Sequence, residues 1–248
     1  DRKLNGVHSK TIDAYLRDLR LENKDIAVIG PSHSVDLDPS SLFFANLLYR
    51  HTGSLSIIDI PKRTVTECHG DIGQYLNGFY KYRSYGIEAI EPKVYITDVT
   101  RTRLSNKFDV VFECNTLPYI SGLKKHDEGK NQRDTAQRVI HKYIQMLKEG
   151  GSIIIAYRVG FGVEYHLALQ SLKGDPRFQI IREPGMYRGE YCLRNIREDA
   201  VPYIDDHTTP KKGFVIKSND ESHRIIRINV LSKNPNPIIP HSKERRAQ

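Results

Sequence analysis

The sequence predicts an α/β domain built on a mostly parallel sheet with crossover helices and an antiparallel finish. Three observations carry that reading. Short apolar runs of strand type alternate along the chain with segments of helical spacing, the pattern of parallel strands joined by helices. Several of those runs are apolar throughout, as expected of strands covered on both faces. The last two runs, "FVIK" and "HRIIRINVLS", have no helical segment between them, only the polar "SNDES", which predicts a hairpin.

The elements follow in order. An amphipathic segment comes first, with Ile12, Tyr15, Leu16 and Leu19 on one face. "DIAVIG" is the first strand. Asp38-Pro39 then starts a helix, Asp as a favoured N-cap and Pro suited to the first helical position. That helix runs through Phe43, Leu47 and Leu48 to about Arg50. Residues 55–60 ("LSIIDI") form the second strand, 93–99 ("KVYITDV") the third and 108–115 ("FDVVFECN") the fourth. Between the second and third, residues 64–92 are rich in Gly and Tyr and carry no clear period.

Residues 134–147 place Ala136, Val139, Ile140, Tyr143, Ile144 and Leu147 at helical spacing, and Glu149-Gly150-Gly151 ends that helix as a left-handed cap would. "SIIIAYR" is the fifth strand, residues 165–172 a short helix and "FQIIREP" the sixth strand. Residues 185–212 are polar with several turn formers and read as an inserted loop region. One domain over residues 1–233, followed by a basic, Pro-containing tail over 234–248, accounts for the whole chain.

Composition narrows the functional classes. The net charge of +8 favours an anionic partner such as RNA, a phosphorylated substrate or an acidic membrane surface, although "HSKERRAQ" supplies part of it. No apolar run reaches the roughly 18 to 20 residues that span a bilayer, and "DRKLNGVHSK" has no apolar signal core. The chain also starts without Met, which predicts a processed product or a piece of something longer. Three cysteines, Cys68, Cys114 and Cys192, without CxxC spacing, fit a reducing, cytoplasmic setting. Cys114, in an apolar run, reads as packing. The ten histidines show neither HxxxH nor HExxH pairing, so nothing in the sequence supports a metal site.

The loop "GPSHSVDLDPSS" after the first strand is where a nucleotide would sit, at the start of a helix. It lacks GxGxxG, and Asp36 and Asp38 would set negative charge against a phosphate. A cationic, phosphate-free ligand tolerates them better. Asp38 as an N-cap and Asp36 as a solvated loop residue are the plain alternatives. Asp59 ends the second strand, 29 positions after Gly30, where a carboxylate accepts hydrogen bonds from ribose hydroxyls or caps a turn. Asp98 ends the third strand, where capping a turn is the plain reading. "YLNGFYKYRSYG" and "MYRGEYCLRNIR" interleave tyrosines with Lys81, Arg83, Arg188 and Arg194. Such stretches stack bases and neutralise phosphates, or form a lid packed on the domain; the lid is the preferred reading.

Taken together, "IAVIG", "SIIDI", "YITDV", "FDVVFECNTLPYI" and "LKEGGSIIIAY" resemble, in order and spacing, the class I S-adenosylmethionine-dependent methyltransferases, over about residues 22–158. The resemblance implies a Rossmann-like, doubly wound, seven-stranded sheet with an antiparallel last strand and helices on both faces. It implies S-adenosylmethionine as cofactor, held by Gly30, Pro31, Ser32, Ser34, Asp59, Ile60, Asp98, Val99 and Asn115, with Asp98 and Val99 at the adenine. Acceptor contacts would come from Tyr119, Tyr80, Tyr82, Tyr187 and Arg188, with residues 64–92 and 185–212 shaping the acceptor side. The chain departs from the family at the first loop, where Ser32 and Ser34 replace glycines and the first strand carries no acid. "NTLPY" is one residue too long for the N-P-P-Y motif of amino-methyltransferases. The Lys-Asp-Lys-Glu set of ribose methyltransferases and a Pro-Cys nucleophile are both missing. No catalytic residue stands out, in keeping with a displacement driven largely by alignment. A non-catalytic methyltransferase-like module binding RNA or a protein is the alternative, and a nicotinamide dehydrogenase a third reading.

Overall fold

The computed structural model describes residues 15, 18–30, 53–59, 91–114, 116–117, 120, 132–158, 162–184, 187–193 and 214–234. The elements, in chain order, are β1 (Asp25–Ile29), β2 (Ser54–Asp59), β3 (Lys93–Ile96), β4 (Phe108–Cys114), α1 (Gln132–Met146), β5 (Leu147–Arg158), α2 (Gly162–Gln170), β6 (Phe178–Arg182), β7 (Tyr187–Leu193) and β8 (Phe214–Val230). They form one sheet in the order β3-β2-β1-β4-β5-β8-β6, with β7 added to β8. Strands β1 to β5 pair in parallel, and β8 runs antiparallel to both β5 and β6. Seven strands along this path, the sixth in space reversed, make the Rossmann-like methyltransferase sheet implied by the resemblance.

The apolar runs behave as their composition predicts. Alternate residues of each central strand feed two separate cores. Ala27, Ile29, Val111, Ile153, Ile155, Ile226 and Ile228 face α1 and α2, meeting Val139, Ile140, Tyr143 and Ala168. Ile26, Val28, Ile57, Phe112, Ile154 and Ile225 face the other way, against Tyr15, Leu21 and Tyr187. Burial on both faces is why these strands carry no polar alternation. At the amino edge of the sheet, Lys148 donates to Asp25 at 2.7 Å and to Asp109 at 2.9 Å, while the Asp109 carboxylate also accepts from the Asp25 N–H at 2.8 Å. Hydrogen bonds from Lys148 and Ser54 hold the Asp25 carboxyl below its ordinary value.

Four expectations change. β3 is shorter than residues 93–99, because the Asp98 carboxylate accepts from the Thr100 N–H and turns the chain out of the sheet. The helix ends at Met146 rather than at the glycine pair, and Gly150, at φ +75°, lies in the irregular start of β5. Residues 187–193, expected inside a loop, are strand β7. "SNDES" is not a hairpin turn: β8 is continuous through it. β7 pairs on both sides, with Glu190 opposite Lys217 and Arg188 opposite Ser222, so the polar residues between form a bulge. The helix expected from Pro39, residues 64–90 and the tail beyond Asn234 lie outside the described residues.

Candidate functional site

Parallel strands gather their carboxyl ends along one edge, and in an open α/β sheet ligands bind there, where the strand order reverses. Here β1 has β2 on one side and β4 on the other, so the reversal lies between β1 and β4. The ends of β1, β2, β3 and β4 bring together Gly30, Asp59, Asp98 and Glu113.

Backbone and side-chain bonds knit this edge. The Gly30 N–H donates to the Ile58 carbonyl at 2.8 Å, and the Thr97 N–H donates to the Asp59 carbonyl at 2.7 Å. Gly30 adopts φ +54°, a left-handed conformation that favours glycine. A Cβ there would also come within 2.7 Å of Thr116 Cγ2. The Thr116 hydroxyl donates to the Ile29 carbonyl at 3.0 Å, so the turn after β1 and the turn after β4 are locked together.

Asp59 is buried at the end of β2. Asp98 caps its own turn: Oδ1 accepts from the Thr100 N–H at 2.8 Å and hydroxyl at 2.7 Å, and Oδ2 lies 3.8 Å from Arg101 Nε. Val99 is buried in the α1-facing core beneath that turn. Tyr187 is 2 % exposed and packs edge-on against Tyr15, with ring centroids 5.5 Å apart. It is therefore a core side chain, not one held out to a substrate, and burial pushes its hydroxyl up. Arg188 lies in β7 opposite Ser222. Pro31, Ser32, Ser34, Asp36, Asp38, Ile60, Tyr80, Tyr82, Asn115 and Tyr119 lie outside the described residues.

Sequence reading missed Glu113. It sits near the end of β4, between Ile29 of β1 and Ile155 of β5, and is fully buried. Its Oε1 accepts from the Thr116 N–H at 2.5 Å, the Leu117 N–H at 2.7 Å and the Tyr165 hydroxyl at 2.6 Å. Oε2 is buried with no hydrogen-bond partner, as is the Tyr143 hydroxyl. Burial pushes the Glu113 carboxyl up to about 7, against the downward pull of those three hydrogen bonds. The Glu113 charge in turn adds to the burial that raises Tyr143. The available signal was a carboxylate near the end of an apolar run, after Val110, Val111 and Phe112, followed three residues later by a helical turn.

Further along the same edge, a cavity of about 220 Å³ opens between the first turns of α2 and the ends of β5 and β6. Arg182, Arg224, His166 and Tyr157 line it, none of them a residue the sequence singled out. Among the described residues no group of three or more His, Cys, Asp or Glu side chains converges, and no helix is long and apolar enough to cross a membrane.

No family model and no curated protein sequence matches the chain. Solved structures do. An S-adenosylmethionine-dependent O-methyltransferase from Thermotoga maritima is 12% identical, with TM-score 0.49, over 91% of this chain and 66% of its own. A branched-chain polyamine synthase from Thermus thermophilus, in complex with N4-aminopropylspermidine and 5′-methylthioadenosine, is also 12% identical, with TM-score 0.46, over 91% of this chain and 56% of its own. An rRNA methylase from Streptococcus thermophilus is 12% identical, with TM-score 0.45, over 92% of this chain and 100% of its own. The chain thus spans less than two thirds of the length of each of the first two.

Proposed function

We propose that the chain binds S-adenosylmethionine across the carboxyl ends of β1 to β4 and transfers its methyl group to an acceptor. The observation that carries this reading is the convergence of the left-handed Gly30 turn with the buried Asp59 at the point where strand order reverses. That donor set fits the cofactor. Asp59 supplies a carboxylate at the strand end suited to ribose hydroxyls, and Asp98 adds a second acid that makes the edge hospitable to a sulfonium and an ammonium rather than to phosphate. Asp98 fits in part, since Thr100 engages its Oδ1 and its own turn fixes its direction. Ser32 and Ser34, with Asn115, would complete the cofactor's surroundings.

The bound cofactor supplies an electrophilic methyl. The chain's residues hold the acceptor's nucleophile in line with it and keep water out, which is where most of the acceleration of such a displacement arises. An acceptor that must lose a proton would also need a base. RNA remains a candidate acceptor on the strength of the +8 charge. Isothermal calorimetry with S-adenosylmethionine tests the reading. Micromolar to submillimolar binding is expected, weakened at least about tenfold in Asp59→Ala, the loss of a charge-assisted pair of hydrogen bonds. No heat at millimolar ligand, or unchanged affinity in the variant, would sink it.

A further inference from the structure

The cavity beside α2 lies on the far side of β5 from the cofactor edge, and antiparallel pairing explains its lining. Tyr157 of β5 stands opposite Arg224 of β8, and Ile226 of β8 stands opposite Arg182 of β6. On this face β6 and β8 present Phe178, Ile180, Ile226 and Ile228 to the core. Along this face the apolar pattern ends in a cation on each strand, at Arg182 of β6, opposite Ile226, and two residues beyond Ile226 on β8 at Arg224. His166, one turn into α2, and Gly162, at the start of that helix, line the same space.

Arg182 and Arg224, both exposed, set two like charges around one cavity from two different strands. Other arginines of the chain meet a carboxylate: Arg177 meets Asp175 at 2.5 Å and Arg227 meets Glu183 at 3.7 Å. Among the described residues no carboxylate pairs with Arg182 or Arg224. A guanidinium fork matches the planar or tetrahedral oxygens of a carboxylate or phosphate. The positive end of α2 adds to the same field. Tyr157 and Tyr165, with ring centroids 4.9 Å apart, wall the cavity on the side of β5. Tyr165 donates its hydroxyl to Glu113, which ties this wall to the end of β4.

We propose that this cavity seats the oxyanion, phosphate or carboxylate, of a small-molecule methyl acceptor, held by Arg182 and Arg224 with His166. Its volume is below the roughly 300 Å³ at which whole-ligand sites begin, so it takes one head group and leaves the rest of the molecule to reach along the edge. The anionic character of the ligand stands on the cavity alone; calling that ligand the acceptor rests on the methyl-transfer reading.

The test titrates the full chain with inorganic phosphate and, separately, with acetate at constant ionic strength, followed by calorimetry. Saturable millimolar binding of at least one is expected, and which one binds separates the phosphate source from the carboxylate. Arg182→Gln and Arg224→Gln should each weaken it about tenfold. The Lys variants at both positions, which keep the charge, should retain part of it. S-adenosylmethionine affinity should stay within about twofold in all of them. No saturable anion binding in the wild type, or full binding in the double Gln variant, overturns the proposal. Anion binding without any cofactor binding supports the site and overturns its assignment to an acceptor. An oligoribonucleotide whose binding falls in the double variant, while free phosphate fails to compete, overturns the small-molecule assignment.

Discussion

Replacing Glu113 by glutamine isolates what a fully buried carboxyl does to this sheet. Its carboxyl is raised by burial from an ordinary value of 4.5 to about 7. The folded chain therefore binds a proton more tightly than the unfolded chain between those two values. Stability is then fully present below about pH 4.5, falls as pH rises, and has lost this contribution once pH passes about 7. The gap corresponds to about 3 kcal/mol, at no more than about 1.4 kcal/mol per pH unit. Glutamine keeps an oxygen for the Thr116 and Leu117 N–H groups and for Tyr165, and places an uncharged amide where Oε2 stands. It should mimic the protonated acid. Urea unfolding of both proteins from pH 4 to pH 8.5 gives the difference, in which all other titrating groups cancel. The variant should gain on the wild type by about 3 kcal/mol between the two ends of that range. A difference that stays flat, or one that moves in favour of the wild type at high pH, would refute the reasoning. Glu113→Ala is a control of opposite kind: it strands two buried N–H donors and should cost about 2–5 kcal/mol throughout.

Two further substitutions probe the same edge. Gly30→Ala forces a side chain into a left-handed backbone, costing about 1 kcal/mol, and drives its Cβ against Thr116. A total loss of about 2–4 kcal/mol is expected, of which Thr116→Ser in the same chain should restore the steric part; chemical denaturation that shows no restoration would rule out the Thr116 contact as the cause. Tyr143→Phe removes a buried hydroxyl without a partner and should stabilise the chain by about 1 kcal/mol, seen as a rise in Tm of about 2–4 °C. A loss of stability instead would mean that the hydroxyl is bonded.

The strands were legible because each central one is buried on both faces, so composition alone marks it: "DIAVI", "SLSIID" and the core of "SIIIAY" needed no partner to be recognised. The alternation with helices made the parallel order legible, and Asp59 and Asp98 could be placed at strand ends by counting. "SNDES" shows the limit of that method. Its residues favour a turn, but whether the chain turns there or bulges depends on whether β7 pairs with both sides, and β7 itself was hidden in a polar stretch. Tyr187 misled for a related reason: beside Arg188 it looked like part of an exposed lid, whereas Tyr15, 172 positions earlier, covers it.

By itself the sequence determined the class of fold and the order of the central strands, since these follow from hydrophobic period and order along the chain. Only the tertiary structure decided which polar groups meet. Glu113 is an isolated acid in the sequence; packing brings to it Tyr165 from α2 and Tyr143 from α1 and shuts out water, and that is what moves its proton. Arg182 and Arg224 lie on different strands and carry no shared motif. Antiparallel register places them around one cavity, where among the described residues neither meets a carboxylate.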